Sequence, residues 1–159
     1  MSGKAIINHE INFVTMRKIY LLFILAFILN VANAQILNPV RFDYSVVKKG
    51  TDSYELHIKT KIEPHWHLYS VNNPEGGAQA TVVKLKQVKA VGKVKEVGKL
   101  ISVHDAQFNV NQKYFENTVD FVQTVKGKNI KVVSGTIEYM VCNDRQCLPP
   151  KEVEFKVKL

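Results

Sequence analysis

Polar and apolar residues alternate with a period of two from Val40 to the C-terminus, and no convincing helical period of 3.6 residues interrupts them. Five stretches carry this alternation most clearly. The positions that share one face in each stretch are Val40, Phe42, Tyr44 and Val46; Tyr54, Leu56, Ile58, Thr60 and Ile62; Val83 and Leu85; Ile137, Tyr139 and Val141; and Val153, Phe155, Val157 and Leu159. Successive side chains of a strand point to opposite faces, so each stretch is predicted to be a half-buried β-strand.

Turn-forming sequences separate these stretches at residues 49–52, 72–77 and 126–129. About seven or eight short strands at this spacing are typical of an antiparallel β-sandwich. We therefore predict an all-β, immunoglobulin-like sandwich, with no internal repeat or linker.

The N-terminal segment has the pattern of a secretory signal peptide. A positive start at Met16, Arg17 and Lys18 precedes the apolar run 19–29, and Ala32-Asn33-Ala34 matches a cleavage site. We predict cleavage after Ala34, a mature domain at residues 35–159, and a true translation start at Met16, which makes residues 1–15 an upstream extension. The alternative is a membrane anchor, but eleven apolar residues are fewer than the roughly 20 that a spanning helix needs.

The mature segment of 125 residues is long enough for one domain with a substantial core, and too short for two. The formal charge of the whole chain is +8, and removal of residues 1–34 leaves +6. A basic exported domain could meet anionic lipid or acidic partners, although a lysine-rich solvent face is the simpler interpretation. Nucleic acid is not an expected partner outside the cytoplasm.

The two cysteines of the chain, Cys142 and Cys147, lie between two strand patterns, where a hairpin could bring them together. Export would place them where disulfides form and persist. A ring of about six residues gives roughly 2.2 kcal/mol in the chain-entropy model, so the bond would be a poor structural cross-link. Alternation also puts Cys142 on the face of Glu138 and Met140, which predicts an outward-facing, accessible sulfur. A redox-active disulfide is favoured, and a structural one remains the alternative.

Histidines offer a third, weaker hypothesis. His65 and His67 would share one strand face, and with His104 they could bind copper or zinc. No third ligand follows at a recognisable spacing, so we predict no metal and no cofactor.

The cysteine hairpin resembles a known family. Tyr139-x-x-Cys142-Asn-Asp-x-x-Cys147-Leu-Pro-Pro-Lys-Glu is similar to the active-site hairpin of the periplasmic N-terminal domain of the thiol:disulfide interchange protein DsbD. The segments 65–70 and 74–77, and Phe108 followed by residues 113–115, resemble further parts of that domain. The similarity extends from Leu37 to Leu159.

This resemblance implies a thiol:disulfide oxidoreductase domain in the periplasm, with Cys142 and Cys147 as the redox pair. Phe108 would cap the disulfide until a partner displaces it, and analogy favours Cys147 as the attacking thiol. The implied partners are thioredoxin-like periplasmic proteins and a membrane electron carrier, both acting in trans because the sequence stops at Leu159.

In the family pattern, acidic residues that could tune the thiols often precede the cap phenylalanine, whereas here Ala106 and Gln107 stand in those positions. That role could fall to Asp105 or Asp144, and Tyr139 is a further candidate from the motif. Arg145 could favour a thiolate by its positive charge, or it could simply form the turn. The competing function is a non-catalytic interaction module with a structural hairpin disulfide.

Overall fold

A computed structural model describes residues 15–21, 37–106 and 109–159 of the chain. The chain divides into two compact units, Met1–Leu37 and Asn38–Leu159. Residues 15–21 of the first unit are helical. No helix in the described ranges is long and apolar enough to cross a membrane. The predicted signal peptide and its cleavage site lie mainly in residues 1–14 and 22–36, which are outside the described residues.

The second unit is built from antiparallel β-strands. The described part contains β1 (Val40–Lys48), β2 (Ser53–Ile62), β3 (His67–Tyr69), β4 (Val82–Lys86), β5 (Lys89–Gly98), β6 (Ile101–Asp105), β7 (Val110–Phe115), β8 (Val119–Lys126), β9 (Val132–Tyr139), β10 (Val141–Cys142) and β11 (Lys151–Lys158). All pairings between them are antiparallel.

These strands form three sheets. The first sheet has the order β1-β2-β8-β5, the second β10-β3-β7-β6, and the third β11-β9-β4. One main core receives apolar side chains from all three. Its most deeply buried members are Leu56, Ile58, Leu68, Phe115, Val119, Phe121, Val125, Val133 and Ile137. Because alternate residues of each strand enter this core, the period-two pattern of the sequence is the direct cause of the fold.

Close packing explains a glycine in the middle of β9. A Cβ atom on Gly135 would lie 2.2 Å from the carbonyl oxygen of Lys84 in β4 and 2.8 Å from the ring of Phe155 in β11. Both neighbouring strands approach this position so closely that only a residue without a side chain fits.

The predicted all-β, immunoglobulin-like sandwich is confirmed. The described residues contain eleven strands rather than seven or eight, because the second sheet includes pieces as short as β3 and β10. Strands of two or three residues are too short to produce a recognisable alternation.

Candidate redox site

The second sheet has two chemically different faces. Leu68, Phe115 and Val141 point into the main core and are almost fully buried. The residues that alternate with them, including Tyr69, Tyr114 and Cys142, form a separate small cluster. The same alternation that stabilises the sandwich therefore collects polar and reactive side chains on the opposite face of this sheet.

Cys142 and Cys147 are joined by a disulfide within the predicted hairpin. The Asn143 amide donates to the Gln146 carbonyl, and the Leu148 amide donates to the Val141 carbonyl, each at 2.9 Å. The two cysteines lie opposite each other between these bonds, with their Cα atoms 4.0 Å apart. Opposed residues without mutual backbone hydrogen bonds are the closer type of antiparallel pair, at about 4.5 Å.

The side chain of Asn143 shapes the turn of this hairpin. Its Oδ1 atom accepts hydrogen bonds from the backbone amides of Arg145 and Gln146, both at 2.9 Å. Such side-chain-to-backbone bonds are the reason that Asn is favoured in tight turns. The turn thus holds the two cysteines opposite each other.

The two cysteines differ in accessibility. Cys147 is exposed, whereas Cys142 is only 4% exposed. The prediction of an accessible Cys142 is therefore wrong. Cys142 does point away from the main core together with Met140, as alternation indicated, but Tyr69, Ala78 and Tyr114 cover it.

A pocket of about 730 Å³ lies against the disulfide, and Asp105, Asp144 and Arg145 line it together with both cysteines. Asp144 and Arg145 are exposed in the turn, while Asp105 ends β6 on the other side of the pocket. Three of the predicted tuning residues are thus brought together around the disulfide.

Two predicted site residues are placed differently. Tyr139 belongs to the main core, with its ring edge-on to Phe42 at a centroid distance of 5.0 Å, and burial raises its pKa. It is not among the residues that line the pocket. Phe108 lies outside the described residues, so its capping role stays a prediction.

Two tyrosines form the floor of the pocket, and both resist ionisation. Burial is the main cause that raises the pKa of Tyr69, followed by the charge of Asp105. Burial also raises the pKa of Tyr114, with further contributions from Glu116 and Asp144. Both hydroxyls are therefore harder to ionise than that of a free tyrosine.

Comparison with known proteins agrees with this geometry. Residues 33–159 match the family model described as thiol:disulfide interchange protein DsbD, N-terminal. The chain belongs to the DsbD N-terminal domain family. The resemblance that the cysteine hairpin indicated is therefore confirmed, and no curated protein sequence matches the chain.

Solved structures show the same fold. The N-terminal periplasmic domain of ScsB from Proteus mirabilis is 15% identical with a TM-score of 0.60, over 77% of this chain and 47% of that one. The DsbD N-terminal domain of Neisseria meningitidis in the reduced form is 15% identical with a TM-score of 0.58, over 77% of this chain and 90% of that one. The chain thus spans about half the length of the ScsB structure and nearly all of the Neisseria domain.

A buried glutamine that no sequence motif singles out supports the pocket of this domain. The side chain of Gln112 in β7 is 4% exposed. Its Oε1 atom accepts hydrogen bonds from the Asn73 side chain at 2.9 Å and from the Ala78 amide at 3.3 Å. Its Nε2 atom lies 3.5 Å from Asp105, so Gln112 connects the 72–77 turn to the end of β6.

Glu96 in β5 holds the segment that follows β3. Its carboxylate accepts hydrogen bonds from the Ser70 hydroxyl at 2.9 Å and from the Val71 amide at 2.8 Å. The side-chain amide of Asn72 donates to the same carboxylate at 3.1 Å. A strand of the first sheet thereby fixes the chain next to Tyr69, on the floor of the pocket.

The histidines of the weaker metal-site hypothesis are placed apart from one strand face. His65 precedes β3 in a left-handed turn conformation with φ of 68°, so it does not share a strand face with His67. His104 lies in β6, with its ring nitrogen 3.1 Å from the Asn111 side chain. Within residues 15–21, 37–106 and 109–159, no group of three or more His, Cys, Asp or Glu side chains is arranged to hold a metal ion.

Proposed function

We propose that this domain carries out thiol:disulfide exchange and relays reducing equivalents to partner proteins through Cys142 and Cys147. The observation that carries the proposal is the asymmetric disulfide, with an exposed Cys147 and a covered Cys142 at the wall of an open pocket. Exchange requires that an incoming thiolate reach one sulfur, and the exposed cysteine meets this requirement. The short ring of the hairpin adds little stability, which favours a redox role over a structural one.

The proposed reaction proceeds through a mixed disulfide. In the reduced domain, the Cys147 thiolate attacks the disulfide of an oxidised partner, and one partner sulfur leaves as a thiolate. Cys142 then attacks the Cys147 sulfur, so the Cys142–Cys147 bond forms and the second partner sulfur is released. The partner gains two electrons and the domain loses two. The domain is restored by the reverse exchange with a reduced donor.

The remaining predicted residues have supporting roles in this proposal. Phe108 would cover the disulfide between encounters with partners. Asp105, Asp144 and Arg145 line the pocket, so their charges act on the thiols at short range. The domain would work in the periplasm after cleavage behind Ala34, with thioredoxin-like proteins and a membrane electron carrier as partners.

One observation favours the competing function. Structural disulfides are buried, and Cys142 is covered by Tyr69, Ala78 and Tyr114. A non-catalytic interaction module would therefore share this feature with a redox domain. The reduction potential separates the two, because structural disulfides of exported proteins have potentials below about −300 mV.

The proposal is tested by equilibrating the purified protein in glutathione redox buffers and counting alkylated thiols. We expect reversible interconversion of the pair at a potential above about −300 mV. The reduced protein should also reduce a thioredoxin-like protein, and Cys147→Ser should abolish this transfer. In Cys142→Ser, by contrast, the mixed disulfide with the partner should accumulate. A potential below about −300 mV together with no transfer would assign the disulfide a structural role.

A further inference from the structure

Three side chains form a row across adjacent strands of the second sheet. Cys142 in β10 is paired directly with His67 in β3. The ladder between β3 and β7 pairs Leu68 with Phe115, and Glu116, which directly follows β7, lies beside His67. Directly opposed residues of antiparallel strands point to the same face, with Cβ atoms about 4.5–5.5 Å apart. Cys142, His67 and Glu116 are therefore neighbours on one face of the sheet.

The imidazole of His67 is held in place from two sides. Its Nε2 atom lies 3.2 Å from Oε1 of Glu116. Its ring stacks on Tyr114 at a centroid distance of 4.3 Å and an interplanar angle of 21°. The His67 side chain is 19% exposed and that of Glu116 is 42% exposed, so protons can reach the pair from solvent.

The surroundings of His67 carry several other titratable groups. His67 lines the disulfide pocket, and it also lines a second pocket of about 360 Å³ with Glu63, His65, Glu116 and Asp144. Tyr114 stacks on its ring from β7, and Cys142 is the residue paired with His67 in β10. A carboxylate placed next to a thiol opposes thiolate formation.

We propose, on the basis of the exchange function above, that His67 accepts the proton of the Cys142 thiol and that Glu116 is the positioning residue for its imidazolium. The covered Cys142 needs such a partner more than the exposed Cys147, because burial in apolar surroundings opposes thiolate formation. An adjacent base that a carboxylate orients is the general way in which proteins activate a weak nucleophile.

The step it serves is the resolution of the mixed disulfide. The Cys142 sulfur attacks the Cys147 sulfur, the intramolecular disulfide forms, and the bond from Cys147 to the partner breaks. The electron pair of that bond leaves with the partner sulfur as a thiolate. The proton of Cys142 passes to His67 and from there to the released thiolate or to water. The partner disulfide is the oxidant, so no further reactant is needed.

The experiment follows resolution directly in the reduced full-length protein. One equivalent of an aromatic disulfide reagent whose released thiolate is coloured gives a first release on attack by Cys147. A second release follows on resolution by Cys142, and its rate is recorded against pH by stopped-flow absorbance. The wild type must give two releases and Cys142→Ser one. Failure of this control would argue against the exchange function itself, independently of His67.

His67→Gln is expected to slow the second release on the order of 100-fold near neutral pH, as the loss of a general base does. At alkaline pH, where the thiol ionises unaided, its rate should approach that of the wild type. Glu116→Gln should displace the pH profile in the same direction by a smaller amount. His67→Tyr keeps an aromatic ring on Tyr114 and should behave like His67→Gln, which separates the proton transfer from the packing.

The matched control is His104→Gln, which removes a histidine from the wall of the same pocket and should leave the profile unchanged. A slowing of His67→Gln by the same factor at every pH would reduce His67 to a packing role. The pH profile of the second release could instead be unchanged in His67→Gln and displaced in Arg145→Gln. That result would mean that the charge of Arg145, and not His67, promotes ionisation of the Cys142 thiol, and it would overturn the proposal.

Discussion

At the scale of single residues, the hydroxyl of Tyr44 is an unpaired polar group in an apolar setting. It is buried and has no hydrogen-bond partner among the described residues. The ring stacks on Phe155 at a centroid distance of 5.0 Å. Burial, with a smaller contribution from Tyr139, raises the pKa of Tyr44 from 10.0 to about 12. The free energy of unfolding should therefore depend on this one oxygen.

Tyr44→Phe is expected to raise the free energy of unfolding by about 1 kcal/mol at neutral pH, because an unpaired buried hydroxyl is destabilising. In the wild type, Tyr44 would ionise above pH 10.0 in the unfolded chain but only near pH 12 in the folded one. The stability that the wild type gains from keeping Tyr44 neutral in both states is thus fully present below pH 10. It is lost as the pH rises towards 12, because the unfolded chain ionises first. The advantage of Tyr44→Phe should widen over this range, by roughly 1–2 kcal/mol once solvent screening of the half-buried ring is allowed for.

Urea unfolding of the two oxidised proteins at neutral pH and at several alkaline values measures this difference. The other tyrosines with raised pKa values are common to both proteins, so they cancel in the comparison. A difference that stays constant from neutral pH to pH 12 would show that the Tyr44 hydroxyl is solvated in the folded state.

The sequence predicted which face of β1 carries Tyr44, because alternation fixes the direction of a side chain. It could not predict that the hydroxyl lacks a partner, since this depends on Phe155 and Tyr139 from other strands. The same limit applies to the prediction for Cys142. Its direction was correct and its exposure was wrong, because Tyr69 and Tyr114, on strands remote in sequence, cover it.

At the scale of elements, the 72–77 turn depends on a close contact with β7. A Cβ atom on Gly77 would lie 2.5 Å from Nε2 and 2.8 Å from Oε1 of Gln112. The Gln112 side chain is itself buried and hydrogen-bonded to Asn73 and Ala78, so it cannot move without losing these bonds. The turn was recognisable from its Asn, Pro and Gly content, whereas its buried partner was not.

Gly77→Ala is therefore expected to lower the free energy of unfolding by about 1–3 kcal/mol, through overpacking and lost hydrogen bonds. Gln112→Ala removes the clash, so Gly77→Ala should be less harmful in that background. Gly50→Ala is the matched control, because its Cβ atom would meet only Ser53 at 3.7 Å, and it should change stability by less than about 0.5 kcal/mol. If the losses of unfolding free energy caused by Gly77→Ala and by Gln112→Ala simply add in the double variant, the close contact between residue 77 and the Gln112 side chain is contradicted.

The limits of sequence reasoning also lie at this scale. The long strands β1, β2 and β11 were predictable because several alternating residues define each of them. The segment before β3 was not, because His65 adopts a positive φ that non-glycine residues rarely have. The site residues supplied by hydrogen-bond networks, such as Gln112 and Glu96, come from strands whose pairing the sequence does not reveal.

At the scale of the whole molecule, stability comes from a core to which all three sheets contribute. The disulfide closes a ring with a sequence separation of 5 at the edge of one of them. Loop-closure entropy assigns this ring only about 2.2 kcal/mol, a minor part of what holds a domain of this size together. Both redox states should therefore share one fold.

Cys142→Ala combined with Cys147→Ser is expected to unfold cooperatively in urea, with a loss of roughly 2–3 kcal/mol relative to the oxidised wild type. Alanine is chosen at the covered position because a serine hydroxyl there would add a buried polar group. The wild type under reducing conditions is the companion measurement and should give a similar loss. A non-cooperative transition in both proteins would mean that the hairpin disulfide is required for folding.

The alternation of β3 has a consequence for errors in assembly. A slip of this three-residue strand by one position against its neighbours would exchange the two faces of the sheet. Leu68 would leave the main core, and His67 and Tyr69 would enter it as unpaired polar groups. Such a slip would separate Cys142 from His67 and destabilise the sandwich at the same time. A slipped form should therefore not persist as a folded species, because the register that buries Leu68 is the same one that pairs Cys142 with His67.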